Sequence, residues 1–486
     1  MDTAINLSVV DCFMEDAIVS INPFVEVKKD DYSILVVPET GAWCAVALNK
    51  RNSINYLSKP RRIGEIKKNL SCISEALCND LFYCGILRIN DKDISLIKRK
   101  EAGSEKKGAG LPLYWVLKYT NVCNLRCAYC YSYDEKLKNP VGIPNDYIYK
   151  VSDLIGDTEE PNILSFCFHG GEPLIRFNDI VECVNELKKR RNGHVDFSIQ
   201  TNGTLLNRKI ADYLKQEDFA VGMSVDGYDN ETNCLRPYAN NKPSINATLR
   251  AIDNCHRVGI APGIISVMTR FNYKQSINTM EKLSQMGVKS FHFIHFLPEG
   301  RAIKKENDFS VPMDELLEIR TRMLLFINDY NSKQYKNEHI TERLSKNIMK
   351  SLTQCGQLSY MCAQSPCGAG REMMALTYDG SIYPCDDFGS DTLFRVGNVN
   401  EITDLKKTIL GSKAVKLCQS HRVENILKCS QCIYRRICIS HCCSDSYFYT
   451  GKMNSPHSAC EFIQKFIPMV IELLYKGRIQ IENIIS

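Results

Sequence analysis

The sequence predicts an α/β fold in which six β/α units form an open barrel, preceded by a small β-then-α module and followed by a cysteine-rich region. Three observations support this prediction. Strand-like apolar segments alternate with helical patterns between residues 114 and 296. A charged, glycine-containing stretch precedes them at residues 98–110. Eleven cysteines then lie between Cys355 and Cys460, where the alternation has stopped.

Composition limits the classes of protein that fit. A chain of 486 residues exceeds what one core usually organises, so we expect two or three domains. The net charge of +5, from 61 basic and 56 acidic residues, gives no case for a nucleic-acid partner. We see no secretory leader and no apolar run of about 18 residues, which predicts no membrane segment and a cytoplasmic location. In a reducing cytosol, 23 cysteines favour metal ligation over disulfides.

The first module is predicted at residues 1–97. Apolar β-rich runs at 24–27, 33–38 and 43–48 are separated by turn-like residues and predict three strands. Residues 63–70 and 73–87 carry apolar residues at helical spacing. We then expect a linker at 98–110, a barrel at 111–300, a helical bridge at 301–354 and the cysteine-rich region at 355–486.

Six apolar runs predict the barrel strands. They are YWVLKYT from Tyr114, ILSFCF from Ile163, VDFSIQ from Val195, FAVGMSV from Phe219, IISVMT from Ile264 and FHFIHF from Phe291. Nearly continuous hydrophobicity is typical of parallel strands that are buried on both faces. In such barrels the chemistry lies at the carboxyl ends of the strands.

A C-x3-C-x2-C motif, formed by Cys123, Cys127 and Cys130, follows the first of these strands. Closely spaced thiolates suit an iron–sulfur cluster, and three ligands leave one iron open, although a zinc site fits the same spacing. The next three strands end in glycine-containing turns, which allow backbone to approach a ligand. These turns are His169-Gly-Gly-Glu-Pro173, Gln200-Thr-Asn-Gly203 and Ser224-Val-Asp-Gly227.

Together these motifs resemble the radical S-adenosylmethionine (SAM) superfamily over residues 111–298. The resemblance implies an open (β/α)6 partial TIM barrel, with a 4Fe-4S cluster on the three cysteines and SAM on its open iron. It also implies that a 5'-deoxyadenosyl radical abstracts hydrogen from the substrate. The SAM contacts that it implies are Tyr129 for adenine, Gly170, Gly171 and Glu172 for the methionine ammonium, Ser224 and Arg236 for the carboxylate, and Asn202 and Asp226 for ribose.

A second cysteine pattern occupies the C-terminal region. Cys429-x2-Cys432-x5-Cys438-x3-Cys442-x17-Cys460 follows Cys367-x12-Gly380-x4-Cys385. Cys429 to Cys442 alone would also fit a four-cysteine zinc site. The whole pattern resembles the SPASM domain, a C-terminal iron–sulfur domain with two auxiliary clusters, which would bring the total to three 4Fe-4S clusters.

The SPASM resemblance implies an interleaved ligand set. Cys367, Cys385 and Cys442 would hold the first auxiliary cluster, with Cys362 as its candidate fourth ligand. Cys429, Cys432, Cys438 and Cys460 would hold the second. Cys355, Cys418 and Cys443 remain alternatives to Cys362, and if none of them ligates, an open iron would be left for a substrate thiolate.

Asp386 directly follows Cys385. In sulfatase-maturing relatives an aspartate at this place acts as a base toward the substrate, so Asp386 is a candidate catalytic residue. The alternative is a solvated turn aspartate.

The N-terminal module, three strands and then helices ahead of the barrel, resembles a winged-helix-like PqqD-type leader-recognition element. Such an element would bind the leader of a precursor peptide as an added strand. Residues 43–48 and 73–83 would provide the contacts. The alternative is a structural cap on the barrel.

We therefore expect an enzyme that modifies a ribosomally made peptide, forming a thioether or other crosslink, with a flavodoxin or ferredoxin as electron donor. One alternative is a sulfatase-type maturase that oxidises Cys or Ser to formylglycine. Another is a non-catalytic iron–sulfur electron carrier or zinc-binding protein.

Overall fold

The computed structural model describes residues 14–69, 73–92, 111–132, 139–157, 163–192, 194–303, 305–354, 358–389 and 391–485. The predicted linker at 98–110 and Cys355 lie outside these ranges.

The N-terminal module contains two small sheets. Strands β2 (Val25–Lys28), β3 (Tyr32–Val37) and β4 (Ala42–Ala47) form an antiparallel meander, which confirms the three predicted strands. The second sheet has the order β5-β1-β6 and was not predicted. Its strands are β1 (Ile18–Ile21), β5 (Arg61–Arg62) and β6 (Leu87–Ile89).

Three helices complete this module: α1 (Arg51–Tyr56), α2 (Ile63–Lys68) and α3 (Glu75–Tyr83). The predicted helix at 73–87 is shorter than expected at its end, because Gly85 adopts a positive φ of 80° that breaks the helix and the chain then enters β6.

The centre of the molecule is a curved sheet in which all six predicted barrel strands are present and parallel. These strands are β7 (Tyr114–Thr120), β8 (Leu164–Gly170), β9 (Val195–Thr201), β10 (Ala220–Ser224), β11 (Gly263–Met268) and β12 (Ser290–His295). The helices that follow them in the chain are α4 (Asn145–Ile155), α5 (Phe177–Arg190), α6 (Arg208–Gln216), α7 (Ile245–Arg257), α8 (Ser276–Gln285), the short α9 (Glu306–Phe309) and α10 (Met313–Ser332).

The strands are less uniformly apolar than predicted. Phe197 and Ile199 are buried in the main core, whereas the alternate residues Ser198 and Gln200 line cavities inside the barrel. Alternation of this kind follows from the two-residue period of a strand. The barrel interior is therefore polar enough to hold a ligand.

The sheet continues beyond the six strands and crosses the predicted boundaries at 300 and 355. At one edge β13 (Thr341–Glu342) pairs in parallel with β12. At the other edge β14 (Met373–Leu376) pairs in parallel with β7, and β15 (Ser381–Tyr383) and β16 (Gly397–Asn398) follow in antiparallel fashion. All four residues of β14 are buried, so the C-terminal region shares the core of the barrel.

The C-terminal half is mostly helical. Its helices are α11 (Arg343–Thr353), α12 (Leu405–Gly411), α13 (Lys413–Ser420), α14 (Leu427–Ser430), α15 (Cys443–Thr450), α16 (Cys460–Tyr475) and α17 (Ile481–Ile485). None of the helices in the described part of the chain is both long and apolar enough to cross a membrane.

The meander β2-β3-β4 is docked on the C-terminal helices. The Trp43 indole donates to the carbonyl oxygen of Leu352 in α11, at 3.0 Å. The Tyr32 ring stacks on Tyr475 of α16 with 4.4 Å between centroids. Aromatic pairs of this geometry stabilise an interface beyond the area that they bury. The N-terminal module therefore has a defined position on the rest of the protein.

Candidate active site

The three cysteines of the C-x3-C-x2-C loop line a cavity of about 370 Å3 at the carboxyl ends of the barrel strands. The Leu125 backbone N–H donates to the sulfur of Cys123 at 3.4 Å. Burial raises the pKa of the Cys123 and Cys127 thiols, so a bound cation is needed to favour the thiolate form there. Three soft donors, one of them supported by an amide, fit an iron–sulfur cluster with one open iron.

The cluster loop is held by the segment that carries Arg236. The Arg126 N–H donates to the Pro237 carbonyl at 2.8 Å, and the Ala128 N–H donates to the Leu235 carbonyl at 2.9 Å. These two bonds bracket Arg236, which is only 7% exposed and lines the cavity. In the sequence, only its distance from Ser224 indicated that Arg236 belongs to the site. In the structure, the two flanking backbone hydrogen bonds hold Arg236 at the cavity.

The turn after β8 approaches the start of the cluster loop. The Glu172 N–H donates to the Val122 carbonyl at 2.8 Å. A Cβ added at Gly171 would lie 2.2 Å from that carbonyl oxygen, and one at Gly170, where φ is 115°, would lie 2.6 Å from the Thr120 oxygen. Only glycine fits at these two positions. Both glycines line the cavity, as expected of residues that bind a ligand through backbone.

Glu172 itself lies behind this turn. Its side chain is fully buried, and its two carboxylate oxygens accept from the Thr201 hydroxyl at 2.6 Å and from the Asn202 N–H at 2.8 Å. Burial raises the pKa of Glu172 and these hydrogen bonds oppose the rise. The carboxylate thus ties the turns after β8 and β9 together, and its direct contact with SAM stays a prediction.

The remaining predicted SAM contacts divide into two groups. Asn202, Ser224 and Tyr129 line the cavity. The carboxylate of Asp226 instead accepts from the Tyr129 hydroxyl and from the Val267 N–H, the latter at 3.1 Å. Asp226 is 3% exposed, so the structure shows it as a support for Tyr129, and its contact with ribose remains untested.

Several cavity residues were missed by the sequence analysis. They are Tyr131, His292, His295, Glu299, Arg343 and Tyr360. The two histidines stand in the otherwise apolar run FHFIHF, which is a signal that could have been used. Arg343 gave no such signal, because it enters the site only through the pairing of β13 with β12.

Four cysteines of the first predicted auxiliary set come together: Cys362, Cys367, Cys385 and Cys442. Burial raises the pKa of Cys362, Cys385 and Cys442, and the charges of neighbouring aspartates and thiols raise it further. The hydrogen bond with Cys443, followed by burial, raises the pKa of Cys367. The sulfur of Cys367 accepts from the backbone N–H groups of Ala369 and Cys443. Four thiols, one of them with amide donors, fit a cluster that has no open iron.

Cys443 belongs beside this set. Its sulfur lies 3.4 Å from the sulfur of Cys367, and it is only 1% exposed. Two thiolates on different irons of one cluster are held farther apart than this, so the arrangement favours Cys443 as a neighbour of the cluster, and the choice between Cys362 and Cys443 as a ligand stays a prediction. A metal-bound Cys367 has no proton to give, so the Cys443 thiol would be the hydrogen-bond donor.

The second predicted set, Cys429, Cys432, Cys438 and Cys460, also comes together. Each of Cys429, Cys438 and Cys460 has a pKa raised by burial and by other thiols of the set. The amide of Gln464 donates to the Cys432 sulfur at 3.6 Å. The structure therefore groups the cysteines in the interleaved way that the sequence predicted, while metal ligation by them stays a prediction.

Asp386 lies between the cluster loop and the first auxiliary set. Its carboxylate accepts from the Tyr131 hydroxyl at 3.1 Å and from the Cys385 thiol at 3.5 Å. Tyr131 lines the cavity, so Asp386 reaches the site through this tyrosine.

Comparison with known proteins agrees with this geometry. A cysteine-type anaerobic sulfatase-maturating enzyme of Clostridium novyi is 27% identical over 66% of this chain and 84% of its own. The radical SAM cyclopropyl synthase TigE of Paramaledivibacter caminithermalis is 29% identical over 47% of this chain and 52% of its own.

Two solved structures share the fold. The enzyme anSMEcpe with bound AdoMet superposes with a TM-score of 0.65 at 21% identity, over 76% of this chain and 99% of the other. SuiB of Streptococcus suis, bound to its precursor peptide SuiA, superposes with a TM-score of 0.54 at 17% identity, over 92% of this chain and 99% of the other.

Family models identify two parts of the sequence. Residues 117–271 match the radical SAM superfamily, and residues 367–433 match the SPASM iron–sulfur cluster-binding domain. These domains imply 4Fe-4S clusters and SAM as cofactors. The chain therefore contains a radical SAM domain followed by a SPASM domain.

Proposed function

We propose that this enzyme is a peptide maturase that crosslinks a ribosomally made precursor. The observation that carries the proposal is the position of the cavity between two cysteine sets. Tyr131, directly after the cluster loop, bonds to Asp386, directly after Cys385 of the first auxiliary set. A peptide residue in this cavity would lie close to both.

Three 4Fe-4S clusters would complete the enzyme, on the cluster loop and on the two C-terminal cysteine sets. Cys123, Cys127 and Cys130 would hold the first cluster, which together with SAM would supply the radical chemistry that removes a hydrogen atom from the peptide. The role of the protein's own residues is to position SAM and the peptide and to exclude water from the cavity. Gly170 and Gly171 would let the backbone approach SAM, and Arg236 and Ser224 would bind its carboxylate. Asp386 would accept a proton from the peptide through the Tyr131 hydroxyl, which lies between it and the cavity.

The N-terminal module offers a candidate leader site, which supports the proposal of a ribosomal precursor as substrate. In the described part of the chain β4 pairs only with β3, so its outer edge has no strand partner there. Cys44 and Val46 of β4 pack in one core with Leu77 and Leu81 of α3. This arrangement places a helix beside the free edge, and an extended leader would bind there by main-chain pairing.

The N-terminal module is docked on the C-terminal helices, so a leader bound to it would lie at a fixed position relative to the cavity. Trp43 is engaged with Leu352, so the leader site is fixed relative to the barrel. A leader held there raises the effective concentration of the attached core peptide at the cavity. The structure of SuiB with its precursor peptide superposes over 92% of this chain, which supports the proposal that this enzyme also binds a precursor peptide.

The sulfatase-type reaction is less favoured. Asp386 and the similarity to sulfatase-maturating enzymes support it. However, the anSMEcpe structures cover only 76% of this chain, whereas SuiB covers 92%. A maturase that acts on a folded sulfatase needs no leader-binding module.

The test is anaerobic incubation of the reconstituted enzyme with SAM, dithionite and a cysteine-containing candidate precursor peptide. We expect 5'-deoxyadenosine and a peptide that has lost two hydrogen atoms and one free thiol. Replacement of Cys123, Cys127 and Cys130 by Ala should abolish both products, while Cys255→Ala, in the barrel core, should not.

Two outcomes would contradict the proposal. A product that reacts with a hydrazide reagent would contain an aldehyde and would indicate formylglycine instead of a crosslink. Turnover that is unchanged when the leader is removed from the peptide would contradict the role of the N-terminal module.

A further inference from the structure

A second guanidinium faces the active-site cavity. Arg236 and Arg343 both line it, and Arg236 is the one proposed to bind the SAM carboxylate. Arg343 is the first residue of α11 and directly follows β13, the strand that pairs with β12. The cavity thus carries one fixed cation more than the cofactor requires.

Arg343 has no carboxylate partner among the described residues. The adjacent Glu342 is already used: it lies 3.3 Å from the Arg320 guanidinium and accepts from the Ser345 N–H at 2.8 Å. Arg320 and Glu342 are both fully buried, so their charges neutralise each other locally. The charge of Arg343 is therefore left without a protein counter-ion in that part of the chain.

Arg343 is nevertheless held in place. Its Nη1 donates to the Tyr360 hydroxyl at 3.2 Å, and its guanidinium lies 4.9 Å from the centre of the Tyr360 ring. A guanidinium has five N–H donors, so several remain for a ligand. A side chain that is already oriented loses little entropy when it binds a carboxylate.

The surroundings favour an anion at this point. His292 lines the same cavity, and burial, with the charge of Arg343 adding to it, holds the pKa of His292 well below its usual range. His292 is thus a neutral hydrogen-bonding group beside the cation. Charge pairs inside a water-poor cavity are stronger than on the surface.

There is also room for a side chain. Arg343 and His292 line a second cavity of about 490 Å3 that extends toward the amino ends of the strands. The Tyr360 hydroxyl in turn bonds to the sulfur of Cys362. A group held on Arg343 would lie deep in the barrel and next to the first auxiliary cysteine set.

We propose that Arg343, together with Tyr360 and His292, is a subsite that binds a carboxylate of the peptide substrate. The carboxylate would come from an Asp or Glu side chain or from the peptide's own C-terminus. This inference rests on the proposed peptide substrate, and it makes an acidic group near the modified residue a requirement for productive binding.

The test measures binding rather than turnover. The holoenzyme is saturated with SAM, so that Arg236 is occupied, and is titrated by calorimetry with three probes. N-acetyl-aspartate methylamide carries only a side-chain carboxylate, N-acetyl-glycyl-glycine only a terminal one, and N-acetyl-asparagine methylamide has none. We expect one carboxylate probe to bind at least about tenfold more tightly than the amide, since a charged hydrogen-bonded pair is typically this strong.

Variants then locate the binding. Arg343→Gln should weaken binding of the preferred probe by about tenfold or more. Arg343→Lys should weaken its binding less, because lysine keeps the positive charge but lacks the paired N–H donors of the guanidinium. Arg257→Gln, on the solvent-exposed face of α7, is the matched control and should bind like the wild type. Iron content and SAM affinity verify that each variant is intact.

Either of two results would overturn the subsite. One is the absence of any preference for a carboxylate in the wild type, and the other is a preference that survives in Arg343→Gln. If Arg343→Gln does not fold, Arg343→Lys and Tyr360→Phe give the same comparison. Formation of 5'-deoxyadenosine and peptide product is measured separately, so failure of the subsite and failure of the proposed function remain distinct.

Discussion

Gly171→Ala tests how the turn after β8 and the cluster loop depend on each other. A Cβ at this position would lie 2.2 Å from the Val122 carbonyl oxygen and 2.7 Å from its carbon. Both are backbone atoms, one residue before Cys123, and neither can rotate away. Relief of the contact therefore requires the cluster loop or the turn to move.

The size of the movement follows from the contact distances. Ordinary van der Waals contact begins near 3.4 Å, so the gap must open from 2.2 to 3.4 Å, about 1.2 Å. Overpacking of this kind costs about 1–3 kcal/mol of folding stability. A misplacement of about 1 Å at a reacting centre costs on the order of a hundredfold in rate. We expect a folded protein whose activity falls far more than its stability.

The assay is 5'-deoxyadenosine formation by anaerobically reconstituted enzyme, measured together with iron and sulfide per chain and the thermal midpoint. Gly411→Ala is the matched control, because nothing lies within 4 Å of its added Cβ. It should behave like the wild type. A Gly171→Ala variant with full iron content and a rate within about twofold of the wild type would refute the steric argument.

Three further predictions concern other parts of the protein. Cys443→Ala removes the thiol that lies 3.4 Å from the Cys367 sulfur. Because hydrogen bonds to cluster sulfurs tune the reduction potential, the potential of one cluster should fall by on the order of tens of mV in an EPR-monitored titration. Cys443→Ser should restore part of the shift, and an unchanged potential would contradict the hydrogen bond. Glu342→Gln leaves Arg320 buried without its counter-ion and should destabilise the fold by about 3 kcal/mol, measured as a fall in the thermal midpoint. Glu401→Gln, at an exposed site, is the control and should leave the midpoint unchanged. Burial and two neighbouring aspartates raise the pKa of Glu299 to about 8. The folded protein therefore holds a proton on Glu299 that the unfolded chain loses above about pH 4.3. The free energy of unfolding should fall as the pH rises from about 5 to about 8. Glu299→Gln should show a smaller fall, and the same pH dependence in wild type and variant would contradict the pKa shift.

Local patterns in the sequence predicted the centre of the fold well. All six apolar runs are parallel strands, because each carries enough apolar residues to pack against the covering helices, although alternate residues of some strands face the barrel interior. The glycine turns after β8, β9 and β10 came to the same edge because parallel strands end together. The division of the C-terminal cysteines into two sets came from the resemblance to the SPASM domain, since interleaved ligands cannot be separated by spacing alone.

What the sequence could not show depends on distant pairing. The β14 strand joins β7 across more than two hundred residues, and no local signal marks that partner. Glu172 and Asp226 stand in the predicted turns, but their carboxylates are used by neighbouring backbone and side-chain donors. Arg343 enters the cavity only because β13 adds to β12. Turn chemistry identifies where a site lies, whereas packing decides which side chains face it.

Transfer of a hydrogen atom from the peptide to 5'-deoxyadenosine tests the central claim most directly. The precursor is produced in deuterated form and incubated anaerobically with the enzyme, unlabelled SAM and dithionite. The proposed function predicts that 5'-deoxyadenosine gains one deuterium in step with the appearance of crosslinked peptide. Unlabelled 5'-deoxyadenosine beside an unmodified peptide would contradict it.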